Sequence, residues 1–188
     1  SPEQWIVSIF SYSDAPVTPL LKSLSENKKN VLCLIPEGVA TEQVGSFIGK
    51  AAAAGTRFKK DNLTVQILPM IEQDDFDRLL WLCDFNFIRG EDSFVRAQWA
   101  ARPFVWHIYP QDEEAHMVKL HAFLDMYLSG LPKDAADNTR RFCAMWTDRE
   151  NIKTVSENRL NLGEIAPEWS QYATDWFKKL TVQDDLAC

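Results

Sequence analysis

The sequence predicts an α/β domain, a mostly parallel sheet with helices on both faces. Three observations carry this. Five short, β-rich apolar runs recur along the chain, each bounded by proline, glycine or polar residues. Amphipathic stretches of helical period fill the gaps between them. The runs themselves are nearly continuously apolar, as strands covered on both faces must be.

Taken in order, Trp5 to Tyr12 (WIVSIFSY) is the first expected strand, and Val17 to Leu24 a short helix. Val31 to Ile35 (VLCLI), stopped by Pro36, is the second strand. Thr41 to Ala54 follows Gly38 and is expected to be helical, with Thr41 as N-cap and Gly55 as its stop. Thr64 to Leu68 (TVQIL), stopped by Pro69, is the third strand. Asp74 to Trp81 carries acids in its first turn, where the helix dipole favours them. Leu82 to Ile88 (LCDFNFI) and Phe104 to Tyr109 (FVWHIY) are the fourth and fifth strands, with a helix from Asp92 to Ala100 between them. Glu113 to Leu128 is a long amphipathic helix with Val118, Leu120, Phe123, Leu124 and Tyr127 inward, ending before Gly130. Ala135 to Trp146 and Trp169 to Leu180 complete the helices. Gly163 to Pro167 is the expected hinge. The aromatic segment beyond it (Trp169, Tyr172, Trp176, Phe177) is expected to pack away from the main core.

A chain of 188 residues fits one domain with a full core, or one half of a two-domain protein. The formal net charge of −7 disfavours nonspecific nucleic-acid binding and an anionic membrane surface, yet allows a local positive pocket. No stretch is long and apolar enough to span a membrane. The start, Ser-Pro-Glu-Gln-Trp, has neither the basic segment nor the apolar run of a signal peptide, and it lacks Met, so the chain is expected to continue a longer protein. Cys33, Cys83, Cys143 and Cys188 are widely spaced with no CxxC pair, which points to reduced thiols and a cytoplasmic location.

Right-handed crossovers would bring every strand's carboxyl end to one edge of the sheet. Four loops then meet there: Phe10 and Tyr12 after the first strand, Met70 to Gln73 after the third, Arg89 to Ser93 after the fourth, and Tyr109 to Gln111 after the fifth. In open α/β sheets this edge is where ligands bind. The run Arg89 to Gln111 (RGEDSFVRAQWAARPFVWHIYPQ) is the most informative part. Gly90 permits a tight turn. The free N–H groups of a helix starting at Asp92, Ser93 and Phe94 suit a phosphate, with Arg89 as a cation beside it. Glu91 and Asp92 would accept hydrogen bonds from sugar hydroxyls. An ordinary helix start capped by Asp92 or Ser93 fits the local sequence equally well. Asp84-Phe85-Asn86 imitates a DxD metal motif but has the period of a strand, and Asp74-Asp75 suits a helix start. No metal is expected at either. His107 lies mid-strand, and His116 with His121 have the wrong helical spacing for one ligand face. All three are read as structural or solvated.

The segment Cys83 to Trp99 (CDFNFIRGEDSFVRAQW), then Arg102 to Gln111 (RPFVWHIYPQ), resembles the EarP family of bacterial protein-arginine rhamnosyltransferases. The first strand and Gln73-Asp74-Asp75-Phe76-Asp77 extend the resemblance over most of the chain. It implies a two-domain glycosyltransferase fold of the GT-B type, of which this chain is the carboxyl-terminal, Rossmann-like half. The donor would be dTDP-L-rhamnose and the acceptor an arginine of translation elongation factor P, held mainly by the amino-terminal half. By resemblance, Glu91, Asp92 and Ser93 contact the donor, Asp92 and Ser93 near the diphosphate, with Arg89 and Tyr109 lining the site. Gln73 would reach the thymine, and Phe10 or Tyr12 would stack near it. Met70 stands where an aromatic is expected. Glu91 is the candidate catalytic carboxylate. Residues 1–165 are then the nucleotide-sugar domain, and 166–188 a helix and tail crossing toward the other half. No cofactor or metal is implied. Such a half would bind donor but not catalyse. The alternatives are another nucleotide-sugar enzyme, such as an epimerase or a different glycosyltransferase, and a non-catalytic Rossmann-like docking module.

Overall fold

The computed structural model describes residues 4–111, 115–147 and 162–184 and, in the last of these, the side chains of 168–180. Strands β1 (Gln4–Ile9), β2 (Asn30–Pro36), β3 (Arg57–Lys60), β4 (Leu63–Leu68), β5 (Phe85–Arg89) and β6 (Phe104–His107) form one six-stranded sheet in the order β3-β4-β2-β1-β5-β6. All pairings are parallel except β3 with β4. The helices are α1 (Val17–Ser25), α2 (Thr41–Ile48), α3 (Gln73–Leu82), α4 (Gly90–Trp99), α5 (Ala115–Tyr127), α6 (Lys133–Thr147) and α7 (Leu162–Asp184).

The path of the chain fixes where a ligand can sit. From β1 it steps outward through β2 to β4, then returns across the sheet to β5 and β6. The direction reverses between β1 and β5, and that reversal opens a crevice at their carboxyl ends. Right-handed crossovers put α1 and α2 on one face and α3 and α4 on the other. The side chains agree: Asn86 on β5 donates from Nδ2 to Leu80 O of α3, and its register partner Phe104 packs on Phe94 of α4. Phe87, one residue along, turns to the opposite face and meets Phe142 and Trp146 of α6.

Several expectations are corrected. β1 ends at Ile9 and β6 at His107, which frees Phe10 to Tyr12 and Ile108 to Gln111 as loops. β3 was not foreseen. It is an exposed edge strand whose residues, RFKK, carry the charges that keep an edge from pairing with other chains. Helix α2 stops at Ile48 because Gly49 takes the left-handed conformation (φ 72°), six residues before the expected stop; Ala40, not Thr41, is its N-cap. Val118 is 69% exposed, not inward. The aromatic face of the last helix is also not free. Trp169 is fully buried, Tyr172 and Trp176 nearly so, and the Trp169 indole donates to the Tyr127 hydroxyl at 3.1 Å. The expected hinge at 163–167 is helical backbone within α7. Cys188 lies outside the described residues.

Candidate functional site

The crevice between β1 and β5 brings four of the predicted residues, Phe10, Tyr12, Arg89 and Tyr109, into contact. Arg89, the last residue of β5, holds its guanidinium 4.3 Å from the Phe10 ring centroid and 5.1 Å from that of Tyr12. Its Nη1 donates to Ser11 O at 3.3 Å. Tyr12 in turn meets Tyr109 edge-on at 5.6 Å and His107 at 5.2 Å. The cation is therefore fixed by two rings and a carbonyl, with donors of its planar fork left over. Burial raises the Tyr12 phenol above its ordinary range, the Arg89 charge opposing this and Tyr109, Asp14 and Glu91 adding to it. The hydroxyl is thus a neutral hydrogen-bond donor at neutral pH.

Helix α4 opens directly onto this cluster. It starts at Gly90, two residues earlier than the sequence pattern suggested, so the first-turn N–H groups belong to Gly90, Glu91 and Asp92. No side chain caps it: the ordinary capped start with Asp92 or Ser93 is not what forms. Gly90 has φ 70°, a conformation open to glycine at little cost, and a Cβ there would stand 3.5 Å from the Tyr12 hydroxyl. The Gly90 carbonyl is held from behind by the Trp106 indole N–H at 2.9 Å. An uncapped helix start beside a fixed guanidinium offers the donors and positive charge that an anion requires.

The side chains of the remaining predicted residues make no hydrogen bond or ring contact with this cluster among the described residues. Glu91 and Asp92 are exposed in the first turn of α4, and Ser93 is half-buried behind them. Tyr109 is 64% exposed and Met70 82% exposed, Met70 in the loop before α3. Gln73 is the first residue of α3 and lines, with Asp92, the mouth of a cleft of about 440 Å³ between α3 and α4. Asp77 and Arg96 form its polar wall, and Trp81, Val95 and Trp99 its apolar one.

Several contributors gave no local signal. His107 is buried and its Nδ1 accepts the Tyr12 backbone N–H at 3.2 Å, while Nε2 faces Asp14 Oδ1 at 3.8 Å. It fixes the loop after β1, a partnership spanning 95 residues of sequence. Phe76 packs on Phe10 at 5.4 Å. The buried Ser11 Oγ has no hydrogen-bond partner among the described residues. The DxD-like pair is consumed by the sheet: Asp84 Oδ2 accepts the Ile6 N–H at 2.8 Å, and Asn86 Oδ1 accepts the Ser8 hydroxyl at 2.6 Å. Asp75 pairs with Arg78 on the surface. Among the described residues, no group of three or more His, Cys, Asp or Glu is placed to hold a metal ion, and no helix is long and apolar enough to cross a membrane.

Residues 1–188 match the model of the family described as Elongation-Factor P (EF-P) rhamnosyltransferase EarP. The chain belongs to the EarP family. It is 43% identical over 183 residues to a protein-arginine rhamnosyltransferase of Pseudomonas aeruginosa, covering 97% of this chain and 48% of that protein. A protein of the same name from Pseudomonas putida is 38% identical over 187 residues, covering 99% of the chain and 49% of the relative. The chain spans about half the length of the curated relatives it matches. A solved structure, described as the structural basis for EarP-mediated arginine glycosylation of translation elongation factor EF-P, superposes with a TM-score of 0.79 at 34% identity, over 97% of this chain and 57% of that one. The EarP likeness thus extends over the whole sheet and not only the Arg89 segment.

Proposed function

We propose that this chain is the donor-binding half of a cytoplasmic protein-arginine rhamnosyltransferase of the GT-B type. It takes dTDP-L-rhamnose, and the whole protein transfers the sugar to an arginine of elongation factor P. The observation that carries this reading is the uncapped start of α4 beside Arg89, at the reversal point of the sheet. In such a transfer the bond from the anomeric carbon to the diphosphate oxygen breaks. Positive charge develops on the sugar and negative charge on the leaving diphosphate. The first-turn N–H groups of α4 and the Arg89 guanidinium stabilise that leaving charge as it forms, without a metal. Asp92 and Ser93 stand beside the diphosphate, and Tyr109 closes its outer side. Gln73 and the rings of Phe10 and Tyr12 hold the nucleotide, with Met70 at the rim.

The acceptor guanidinium is protonated at neutral pH and must lose a proton to attack. Glu91 is the carboxylate at the sugar end of this site, and we assign it the role of positioning and polarising the acceptor. The main acceptor surface lies in the half that this chain lacks, so the chain by itself binds donor and leaves elongation factor P unmodified. Within 166–188, Trp169, Tyr172 and Trp176 are buried in this core, so we propose that only the outer side of α7 borders that half.

Calorimetry with dTDP-L-rhamnose, dTDP and UDP tests the reading. Saturable binding of both dTDP ligands, weakened by Ser93→Pro, supports it. Equal binding of UDP would move the assignment to another nucleotide-sugar enzyme. No binding of any of the three would favour a docking module without a ligand. Rhamnosylation of elongation factor P by the isolated chain would refute the division of labour between halves.

A further inference from the structure

The polar wall of the α3–α4 cleft has one member whose chemistry is fixed by its neighbours. Arg96 lies on α4, one turn after Asp92, and faces Gln73 and Asp77, which are one turn apart on α3. A guanidinium can only donate, so the Gln73 amide turns its oxygen toward it. Gln73 Oε1 then accepts from Arg96 Nε at 3.0 Å and Nη2 at 2.8 Å. The same guanidinium donates from Nη1 to Asp77 Oδ2. Both lone pairs of the amide oxygen are used, and only the NH₂ group of Gln73 remains free.

We propose that Arg96, anchored by Asp77, is the specificity-determining positioning residue of the nucleotide pocket. It locks the Gln73 amide so that the base meets donors and no acceptor. This rests on the donor-site reading above and adds which base the site admits. A pyrimidine with a carbonyl at the edge facing Gln73, as thymine and uracil have, accepts from the NH₂ group. A pyrimidine with an amino group there, as cytosine has, brings a donor against a donor. Without Arg96 the amide is free to turn over and the distinction disappears.

The cost of the arrangement fits a role in recognition. Arg96 and Asp77 are both about two-thirds buried, with side chains 32% and 27% exposed. The other Asp77 oxygen, Oδ1, is buried with no hydrogen-bond partner among the described residues. A buried carboxylate oxygen without a partner destabilises a fold, so stability alone is a poor reason for this pair.

The test is competition between dTDP and dCDP, measured by calorimetry on the 188-residue chain and on Arg96→Met and Gln73→Glu. The unsubstituted chain should prefer dTDP by about tenfold or more, the scale of one hydrogen bond lost or opposed. Arg96→Met should bring the two affinities to within about threefold, because the amide can then present either end. Gln73→Glu still accepts from Arg96 and leaves the Arg96–Asp77 ion pair in place, and with it the local fold, but has no donor. It should lose at least about tenfold in dTDP affinity and gain relative affinity for dCDP. A ratio unchanged in both variants would overturn the clamp, as would a loss of both ligands in equal proportion, the mark of a merely structural role. Failure of the unsubstituted chain to bind dTDP would instead overturn the donor-site reading itself.

Discussion

Two aromatic clusters stand a few residues apart in this molecule and behave in opposite ways. The cluster around α5 and α7 is closed. Phe94 stacks on Trp106 at 4.1 Å, Phe123 on Tyr127 at 5.0 Å, and Trp176 meets Tyr127 at 5.3 Å. Its polar edges are answered from within: the indoles of Trp169 and Trp176 donate to Tyr127 Oη and Gln98 Oε1. The cluster at the reversal point is open. Phe10 and Tyr12 flank a cation, and Tyr109, packed edge-on against Tyr12, keeps most of its surface in water. One region uses its rings to exclude water and the other to present a charge. They are joined where the Trp106 indole grips the Gly90 carbonyl at the start of α4. The closed cluster is the support on which the open one is held.

That contrast predicts separable defects. Trp169→Ala should have the largest effect, because it empties a fully buried site of its biggest side chain. It should lower unfolding free energy by about 3–5 kcal/mol in a denaturant titration, while folded protein at low temperature keeps its affinity for dTDP. A loss below about 1 kcal/mol would show that α7 is not part of this core. Arg89→Met should do the reverse. It keeps an apolar stem against Phe10 and Tyr12 but removes the charge, so dTDP affinity should fall by about 10- to 100-fold, with stability changed by less than about 1 kcal/mol. Comparable losses of stability in the two variants would erase the distinction between the clusters.

The smallest effect is expected at the thiols. Burial pushes Cys83 and Cys143 up to about 12, and raises Cys33 as well. They stay protonated when folded, whereas in the unfolded chain they ionise near pH 8.5. Their contribution to stability is complete below that pH and is lost as pH rises from about 8.5 toward 12. Peptide-resolved alkylation at pH 7.5 should therefore leave these three sites unmodified until the protein is unfolded. Ready labelling of any of them would place that thiol outside the core.

How much of this was legible follows from which contacts are local. β1, β2, β4, β5 and β6 announced themselves because burial on both faces forces continuous apolar runs. β3 did not, since an exposed edge strand has no such pattern. The alanines at 51–54 have high helix propensity, yet one residue, Gly49, stops α2 before them. The aromatic face of α7 is plainly apolar in sequence, but its partners Phe85, Phe123 and Tyr127 are distant in sequence, so no local pattern shows that it is covered. At the site, Arg89 to Ser93 was visible as a contiguous motif at a strand-to-helix turn. His107 and Arg96 were not. Nothing near His107 in sequence shows that its ring accepts a backbone N–H from Tyr12, and nothing near Arg96 shows that it holds Gln73 on another helix.

The most direct test is a crystal structure of this chain with dTDP bound. The diphosphate is expected within hydrogen-bond distance of the Arg89 guanidinium and the first-turn N–H groups of α4, with the base near the Gln73 amide. A diphosphate bound elsewhere on the molecule, with Arg89 still closed over Phe10 and Tyr12, would contradict it.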